Sequence, residues 1–365
     1  MFLAVSGLLV LCVNGKGILL QIFVIGILFL LMSISGCTDL DPDHLYAVYL
    51  DQAPVAVDWE RSLPKRVTVK GGRLNKLDPL PEIDADTVHT STASCHHGSK
   101  LPEPVTIEMR AFYTATDLYL QLSWPDNTRN DQMRSWNFDG TRWLSSADFE
   151  DGFGIIWDID NAYPQFTCSY ACHLDDFGVS GQSFRGHNRM KLSKKGPQLD
   201  LWNWKAGRTG HLAFADDRYL DERGMHGDLP GELFHPNSLQ QVQPQAGTMP
   251  FSQDDRPLYD TDGAAIEGQQ PTIFSRAPGY LTDRPSGDRA DIKALSHWQD
   301  GVWTVTLQRK LQTGSPRDVQ FKPEEGAEIP FGVSLMDNSL YEHYASTLPL
   351  SMVLLPESRP AAALK

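Results

Sequence analysis

Alternating apolar and polar residues predict a β-hairpin in the first third of the chain. Every second residue from Val105 to Tyr113 is apolar, and the same alternation runs from Leu118 to Trp124. A short polar turn at 114–117 separates the two runs. Because side chains of a strand point alternately to its two faces, this pattern is typical of paired strands with one buried face.

Further strands are predicted in the middle and near the carboxyl end. Residues 151–160 (DGFGIIWDID) form a compact apolar run that fits a buried strand, and residues 303–308 and 331–336 alternate again. Residues 348–354 supply a final strand. No long segment repeats its apolar residues with the 3.6-residue period of a helix, so we predict a mainly all-β fold, an antiparallel β-sandwich with long irregular loops and a few short helices.

Residues 221–290 break this pattern. They are rich in Pro, Gly, Asp and Gln and show few apolar alternations. A long irregular excursion in a compact domain usually covers a ligand, contacts a partner or is disordered. We therefore predict one domain over 37–365, with strands before and after the excursion completing the same sheet system.

The amino terminus predicts export rather than fold. Residues 17–34 are almost wholly apolar and follow a single basic residue, Lys16. The sequence Ile-Ser-Gly that precedes Cys37 resembles the bacterial lipoprotein signal, which implies cleavage of residues 1–36, a lipid on Cys37 and a periplasmic, lipid-anchored location outside the cytoplasm. An uncleaved membrane anchor and plain secretion are the alternatives.

The net charge excludes some classes of partner. The chain carries a formal charge of −14, from 32 Lys and Arg against 46 Asp and Glu, and loss of Lys16 with a signal peptide would make it more negative. Binding to nucleic acid regardless of sequence needs a basic surface, so we expect no nucleic-acid partner. Binding to anionic lipid through a polybasic patch is excluded for the same reason.

The most informative motif is FTCSYACH at 166–173, which holds Cys168, Cys172 and His173. Covalent haem attachment normally uses Cys-x-x-Cys-His, in which both thiols bond the vinyl groups and the histidine binds the iron. Here one extra residue separates the cysteines. A Cys168–Cys172 disulfide that closes a small loop is the alternative, and a zinc site is less favoured because no fourth ligand is evident.

A second motif, DLWNWKAGRT at 200–209, places Trp202 and Trp204 around Lys205. The simplest interpretation is a surface strand whose lysine extends to solvent while the indoles pack. The wider sequence suggests another role, because the cysteine motif and this Trp-Lys segment both belong to a longer ordered set of motifs.

Short motifs recur in a defined order from Gln52 to Phe321. They are Gln-Ala-Pro-Val at 52–55, Trp59, LYLQLSWPD at 118–126, EDGFGIIW at 150–157, the cysteine motif, the Trp-Lys segment, Arg208, Ala-Asp-Asp at 215–217, WQDGVW at 298–303, Arg309 and DVQF at 318–321. This ordered set resembles the haem-binding subunits of ethylbenzene dehydrogenase and its relatives, which partner dimethyl-sulfoxide-reductase-like molybdenum enzymes.

The resemblance implies a β-sandwich that holds one haem between its loops. In b-type members of the family the iron ligands are a methionine and the lysine that corresponds to Lys205. Near the position of that methionine this chain has Cys168, Cys172 and His173, which favours a c-type haem with His173 as proximal ligand, while a b-type haem stays open. Lys205 is the first choice for the other ligand. Met190 is the second choice. Trp202 and Trp204 are expected to exclude water from the lysine amine.

Two other features stay open. Cys95-His96-His97 fits a plain loop, with Cys95 free or in a disulfide with Cys168 or Cys172, although a second haem or metal site is an alternative. The pairs Asp158/Asp160 and Asp216/Asp217 are predicted to lie in turns and solvated edges, with calcium binding as the less favoured interpretation.

The favoured function is a non-catalytic electron-transfer subunit. It would relay electrons between the iron–sulfur and molybdenum subunits of an oxidoreductase complex and a soluble cytochrome c or a membrane acceptor, and it would be tethered to the membrane by its lipid. The alternative is a non-haem extracytoplasmic β-sandwich binding module with a Cys168–Cys172 disulfide.

Overall fold

The structure is a computed structural model that describes most of the chain after residue 42. The described residues are 41, 43–70, 103–163, 192, 195–229, 231, 233–240, 254–323, 327–338, 344–346 and 348–357. Contacts divide the chain into a unit at 1–41 and a unit at 42–365. Only Asp41 of the first unit is described, and every described strand and helix belongs to the second.

The described residues form eighteen strands and little helix. The strands are β1 (His44–Tyr49), β2 (Lys65–Lys70), β3 (Val105–Tyr113), β4 (Asp117–Pro125), β5 (Trp136–Phe138), β6 (Trp143–Ser145), β7 (Gly152–Asp158), β8 (Leu199–Lys205), β9 (Asp216–Asp221), β10 (Gly224–Gly227), β11 (Phe234–Pro236), β12 (Arg276–Ala277), β13 (Tyr280–Thr282), β14 (Lys293–Gln299), β15 (Val302–Lys310), β16 (Glu328–Met336), β17 (Tyr344–Ser346) and β18 (Leu350–Leu354). The helix α1 (Ala56–Arg61) lies between β1 and β2, and 3-10 turns cover Gly210–Leu212 and Gly287–Ala290.

Thirteen of these strands belong to one sheet. Its main path runs β10-β9-β8-β7-β16-β17-β2-β3-β4-β15-β14, and two small sheets, β11–β13 and β12–β5–β6, lie apart from it. Neighbouring strands are antiparallel except at β1, which runs parallel to both β3 and β18. β18 also pairs with β16, so the first and last strands link two parts of the same sheet.

The sheet folds over itself into two layers that share one core. Trp124 on β4 lies 6.1 Å from Trp204 on β8 between ring centroids, and Trp303 on β15 lies 5.3 Å from the same ring. These strands are far apart in the order of the sheet, so their side chains meet only because the two halves face each other. The predicted antiparallel β-sandwich is therefore confirmed.

The alternating segments of the sequence are strands in the structure. β3 and β4 pair as an antiparallel hairpin with Tyr113 opposite Leu118, as predicted. The apolar run at 151–160 contains β7, in which every residue is buried, and the carboxyl-terminal patterns correspond to β15, β16 and β18. Within 221–290 the described residues form only strands of two to four residues and one 3-10 turn.

The helix α1 is short because its ends are fixed locally. The Asp58 carboxylate accepts the Val55 N–H at 2.8 Å, which closes the amino-terminal end. At the other end the Ser62 N–H donates to the Asp58 carbonyl, and extended backbone follows. Trp59 attaches the helix to the sandwich by an edge contact with Phe112 at 4.9 Å. In the part of the chain that the structure describes, no helix has the length and apolar character to span a bilayer.

Candidate functional site

Lys205 is the last residue of β8, and a tight turn fixes its backbone. The Lys205 N–H donates to the Thr209 hydroxyl oxygen at 2.9 Å, and that hydroxyl donates to the Lys205 carbonyl at 2.9 Å. The Thr209 N–H donates to the same carbonyl. The strand therefore ends in a closed turn that fixes the Lys205 backbone and hence the direction in which its side chain leaves the strand.

The Lys205 amine is buried and paired. Only 7% of the residue is exposed, and Nζ lies 3.0 Å from Oδ2 of Asp216 on β9. Nζ also lies 5.0 Å from the centre of the Phe234 ring. Burial lowers the pKa of Lys205 to about 8, although the Asp216 charge opposes the shift. An amine with this pKa loses its proton far more readily than a lysine in water.

Asp216 does not depend on Lys205 alone for its charge balance. Arg289 donates to its Oδ1 at 2.8 Å, and Arg218 donates to its Oδ2 at 3.2 Å. Burial by itself would raise the pKa of Asp216, but the three cations hold it well below its usual range. The carboxylate therefore keeps two positive partners when the Lys205 amine is neutral.

Glu150 anchors the turn that follows Lys205. Its Oε2 accepts the N–H groups of Gly207 and Arg208, both at 2.8 Å, and its Oε1 accepts a hydrogen bond from the Arg208 side chain. The Arg208 guanidinium covers the Phe234 ring at 4.8 Å. Two motifs of the sequence, around Glu150 and around Arg208, thus meet at one place.

An open groove of about 670 Å³ runs beside this turn, which is within the range of small-molecule sites. The turn contributes Ala206, Gly207, Gly210 and His211, and Trp298 and Tyr280 add aromatic surface. The Lys205 side chain points to Asp216 and is not among the groups that line the groove.

Trp202 and Trp204 lie in the core. Both are almost fully buried; Trp202 packs against Trp157 at 5.2 Å, and Trp204 stacks on Phe153 at 5.7 Å. Since side chains alternate along β8, these indoles occupy the face opposite to Lys205. The amine is instead shielded from water by Phe234 and by the buried strand β9. A role for the two tryptophans in cofactor binding stays a prediction.

Several predicted site residues lie outside the described residues. They are the lipidation residue Cys37, the cluster Cys95, His96 and His97, the haem motif residues Cys168, Cys172 and His173, and the second-choice ligand Met190. Covalent attachment, the proximal ligand and the choice between Lys205 and Met190 therefore stay predictions.

The interpretation of the aspartate pairs as solvated edges is wrong for Asp216 and Asp217, which are fully buried in β9. For the other pair it is half right. Asp158 is buried and accepts the N–H groups of Ala162 and Tyr163 at 3.0 Å, whereas Asp160 is exposed in the turn. The run DDRYLD hides its burial because four of its six residues are charged, and two of the partners of Asp216, Lys205 and Arg289, lie on other elements. Its place in the ordered motif set is the one signal that marks it.

The family model described as ethylbenzene dehydrogenase matches residues 58–345. No curated protein matches.

Solved structures show only a distant likeness. A family 9 carbohydrate binding module from Caldicellulosiruptor kristjanssonii in complex with glucose is 7% identical over 86% of this chain and 97% of its own, with a TM-score of 0.29. The module in complex with cellotriose is 8% identical over 87% of this chain and 97% of its own, with a TM-score of 0.32. A putative carbohydrate-binding protein from Bacteroides uniformis ATCC 8492 is 8% identical over 87% of this chain and 93% of its own, with a TM-score of 0.26.

Proposed function

This chain belongs to the ethylbenzene dehydrogenase family, and from that membership we propose that it is an extracytoplasmic haem-binding subunit that transfers electrons and does not itself catalyse a reaction. The observation that carries the proposal is the buried amine of Lys205, whose pKa is lowered to about 8 at the end of β8.

Lys205 fits the requirements of an iron ligand. A lysine amine binds iron only through the lone pair of its neutral form, so burial favours ligation by lowering the cost of losing the proton. Asp216 does not prevent this loss, since Arg218 and Arg289 remain to neutralise it. The turn closed by Thr209 limits the directions in which the amine can move.

The remaining contacts of the proposal come from sequence. Cys168 and Cys172 would hold the porphyrin covalently, His173 would be the proximal ligand of the iron, and Lys205 would be the other ligand, with Met190 as the second choice. Without covalent attachment the haem would be b-type. A haem supplies a one-electron redox centre whose potential depends on its axial ligands and its burial.

The proposed partners follow from family and charge. Iron–sulfur and molybdenum subunits of an oxidoreductase complex would exchange electrons with this chain on one side, and a soluble cytochrome c on the other. A formal charge of −14 favours attraction of a basic cytochrome, and the rate of association should fall as salt screens the charges. Lipid on Cys37 would keep the protein at the membrane.

An absorption spectrum of the full chain, exported by a host that attaches haem, tests the proposal. We expect a Soret band that survives acid–acetone extraction for c-type haem, or one that extraction removes for b-type. Lys205→Ala should shift the spectrum and the reduction potential, whereas Lys293→Ala, which changes an exposed lysine on β14, should leave both unchanged.

A colourless protein would contradict the haem proposal and leave the alternative, a non-haem binding module with a Cys168–Cys172 disulfide. A coloured protein whose spectrum is the same in Lys205→Ala and wild type would keep the haem but remove Lys205 as a ligand. Replacing Cys168 and Cys172 together by Ala should make a c-type haem extractable.

A further inference from the structure

Five aspartates from separate parts of the sequence meet beneath β8 and β9. We call this group the acidic cluster. Its members are Asp200 on β8, Asp217 on β9, Asp228 after β10, Asp291 before β14 and Asp318 between β15 and β16.

Three of these carboxylates converge on one point. Asp200, Asp217 and Asp318 are each at most 1% exposed, and one carboxylate oxygen from each lies within 4.8 Å of the other two. Buried carboxylates this close repel one another strongly when nothing lies between them.

The protein supplies little positive charge to the cluster. Arg309 lies 2.7 Å from Asp200 and 2.9 Å from Asp318, and its Nε lies 3.6 Å from Asp291. The contrast with Asp216, the residue before Asp217, is large, since that single carboxylate contacts three cations. Arg317 donates to the Asp228 carbonyl and is the other cation near the cluster among the described residues. Two guanidinium groups against five carboxylates leave the cluster short of neutrality.

Asp217 shows that a partner is missing from the protein's own groups. The residue is fully buried, and among the described residues no N–H or hydroxyl group donates to either of its carboxylate oxygens. Oδ1 of Asp200 and both carboxylate oxygens of Asp228 also lack such a donor. The side chains that lie within hydrogen-bonding reach of Asp217 and Asp228 are the carboxyl groups of Asp291 and Asp318, which belong to the same cluster. Buried polar atoms in native proteins almost always have a partner, and a bound ion is one standard partner where the protein itself supplies none.

We propose that Asp200, Asp217 and Asp318 form a binding site for a hard divalent cation of the calcium class. The ligands are all carboxylate oxygens from several chain segments, which suits Ca²⁺, with its six to eight oxygen ligands and flexible geometry. No sulfur or imidazole ligand lies in the cluster, so zinc and copper are not favoured. The site does not depend on the haem proposal.

Protons are the competing explanation. Burial raises the pKa of Asp228 to about 8 and that of Asp217 well above its ordinary value, so shared protons would also reduce the repulsion. The two explanations differ in their response to added Ca²⁺, which only the cation site binds.

The test uses the full chain after treatment with EDTA and dialysis. We expect about one Ca²⁺ bound per chain by mass spectrometry of the metal content after incubation and desalting, and a saturable rise in Tm of about 5 °C or more when Ca²⁺ greatly exceeds its Kd. Mg²⁺ should require higher concentrations. Tb³⁺ added in place of Ca²⁺ should luminesce on excitation of tryptophan, since Trp202 is paired with Asp217 across β8 and β9.

Asp217→Asn should lose the Ca²⁺-dependent rise in Tm and the Tb³⁺ signal, and the exposed Asp262→Asn should keep both. If Asp217→Asn does not fold, the metal content and Tm of the wild type decide alone. Wild-type protein that retains no Ca²⁺ and whose Tm does not respond to it would overturn the proposal, whatever Mg²⁺ does. A Tm that then rises as the pH falls below 7 would assign the cluster to protons.

Discussion

At the scale of single residues, β9 separates two adjacent carboxylates into opposite environments. Asp216 pairs with Asn203 in the register and shares the face of Lys205, whereas Asp217 pairs with Trp202 and faces the core side. The first carboxylate contacts three cations, whereas the second is in direct contact with none of the described ones and has only Arg309 nearby. Strand alternation thus places a well-compensated charge and a poorly compensated one at consecutive positions.

Removing the compensated charge should be costly. Asp216→Asn leaves Lys205, Arg218 and Arg289 buried together without a counter-charge, and loss of one partner from a buried charge group typically costs about 3–5 kcal/mol. We expect a loss of this size in the free energy of unfolding, measured by urea denaturation. The control Asp300→Asn changes an exposed carboxylate at a left-handed position that Asn tolerates, and its effect should stay within about 0.5 kcal/mol. Equal effects would contradict the proposed balance.

The carboxylate of Asp221, at the end of β9, predicts how the stability of the fold changes in acid. Burial alone would raise the pKa of Asp221, but hydrogen bonds from Arg223 and His226 lower it to about 2. Because the pKa is lower in the folded than in the unfolded chain, Asp221 stabilises the fold above about pH 4, and that contribution is lost as the pH falls toward 2.

Arg223→Gln should raise the pKa of Asp221 and shift the acid-induced loss of stability to higher pH. The measurement is Tm as a function of pH from about 1.5 to 6, a window that spans the folded-state and unfolded-state pKa values of Asp221. Arg284→Gln, at an exposed position, should follow the wild-type curve. Superimposable curves for all three proteins would show that Arg223 does not hold the Asp221 charge.

At the scale of elements, β8 depends on its close approach to β7. Gly152 lies opposite Lys205 in the register, and a Cβ added there would lie 2.6 Å from the Trp204 carbonyl oxygen. Since that oxygen belongs to the backbone, β8 could accommodate the methyl group only by moving away. The glycine therefore positions the strand that presents Lys205.

Gly152→Ala should destabilise the protein by about 1–3 kcal/mol, the usual range for an inserted methylene in a packed core. Gly210→Ala is the matched control, because the nearest atom to its added Cβ lies at 3.6 Å, an ordinary contact. Urea denaturation of both variants checks the expectation. If haem is bound, Gly152→Ala should also disturb its spectrum, since the backbone of Lys205 moves.

The elements that the sequence pattern predicts are those with a local signal. β3, β4 and β15 alternate strictly, and the structure confirms them. β9 is not predicted because its sequence DDRYLD contains charges at most positions. Burial of Asp216 is possible through Lys205 and Arg289, which come from other elements. Tertiary compensation of this kind leaves no trace in a local period.

The candidate site was predictable to a similar extent. Its lysine was identified by resemblance to a family, since Trp-x-Trp-Lys alone is equally typical of a packed surface strand. Its counter-ion Asp216 was not identified from the sequence. The placement of Trp202 and Trp204 on the face of β8 opposite to Lys205 was not predicted either, since it follows from the strand register. The acidic cluster needs five segments brought together, so only the folded chain reveals it.

At the scale of the whole molecule, the sandwich should unfold as one unit because its ends are paired with its centre. β18 pairs with both β1 and β16, the Tyr113 hydroxyl donates to the Leu355 carbonyl, and Met352 is fully buried in the common core. A change in β18 is therefore expected to weaken the entire core rather than the carboxyl end alone.

Met352→Ala should reduce the free energy of unfolding by about 2–5 kcal/mol, the range for truncation of a large apolar side chain in a core. Leu348→Ala, at a residue that is 69% exposed, should have little effect. Tryptophan fluorescence and far-ultraviolet circular dichroism should report the same single transition. Two separate transitions would show that β18 folds independently of the tryptophan core.

The parallel placement of β1 beside β3 and β18 has a consequence for biogenesis. The opening strand of the domain acquires one of its two neighbours only when the closing strand has been synthesised. Until then a nascent polypeptide exposes unsatisfied backbone along β1, a hazard for aggregation that favours a holding chaperone. Contacts so remote in sequence also make for slow folding, which would serve the proposed export because a chain must stay unfolded to pass through a translocation channel.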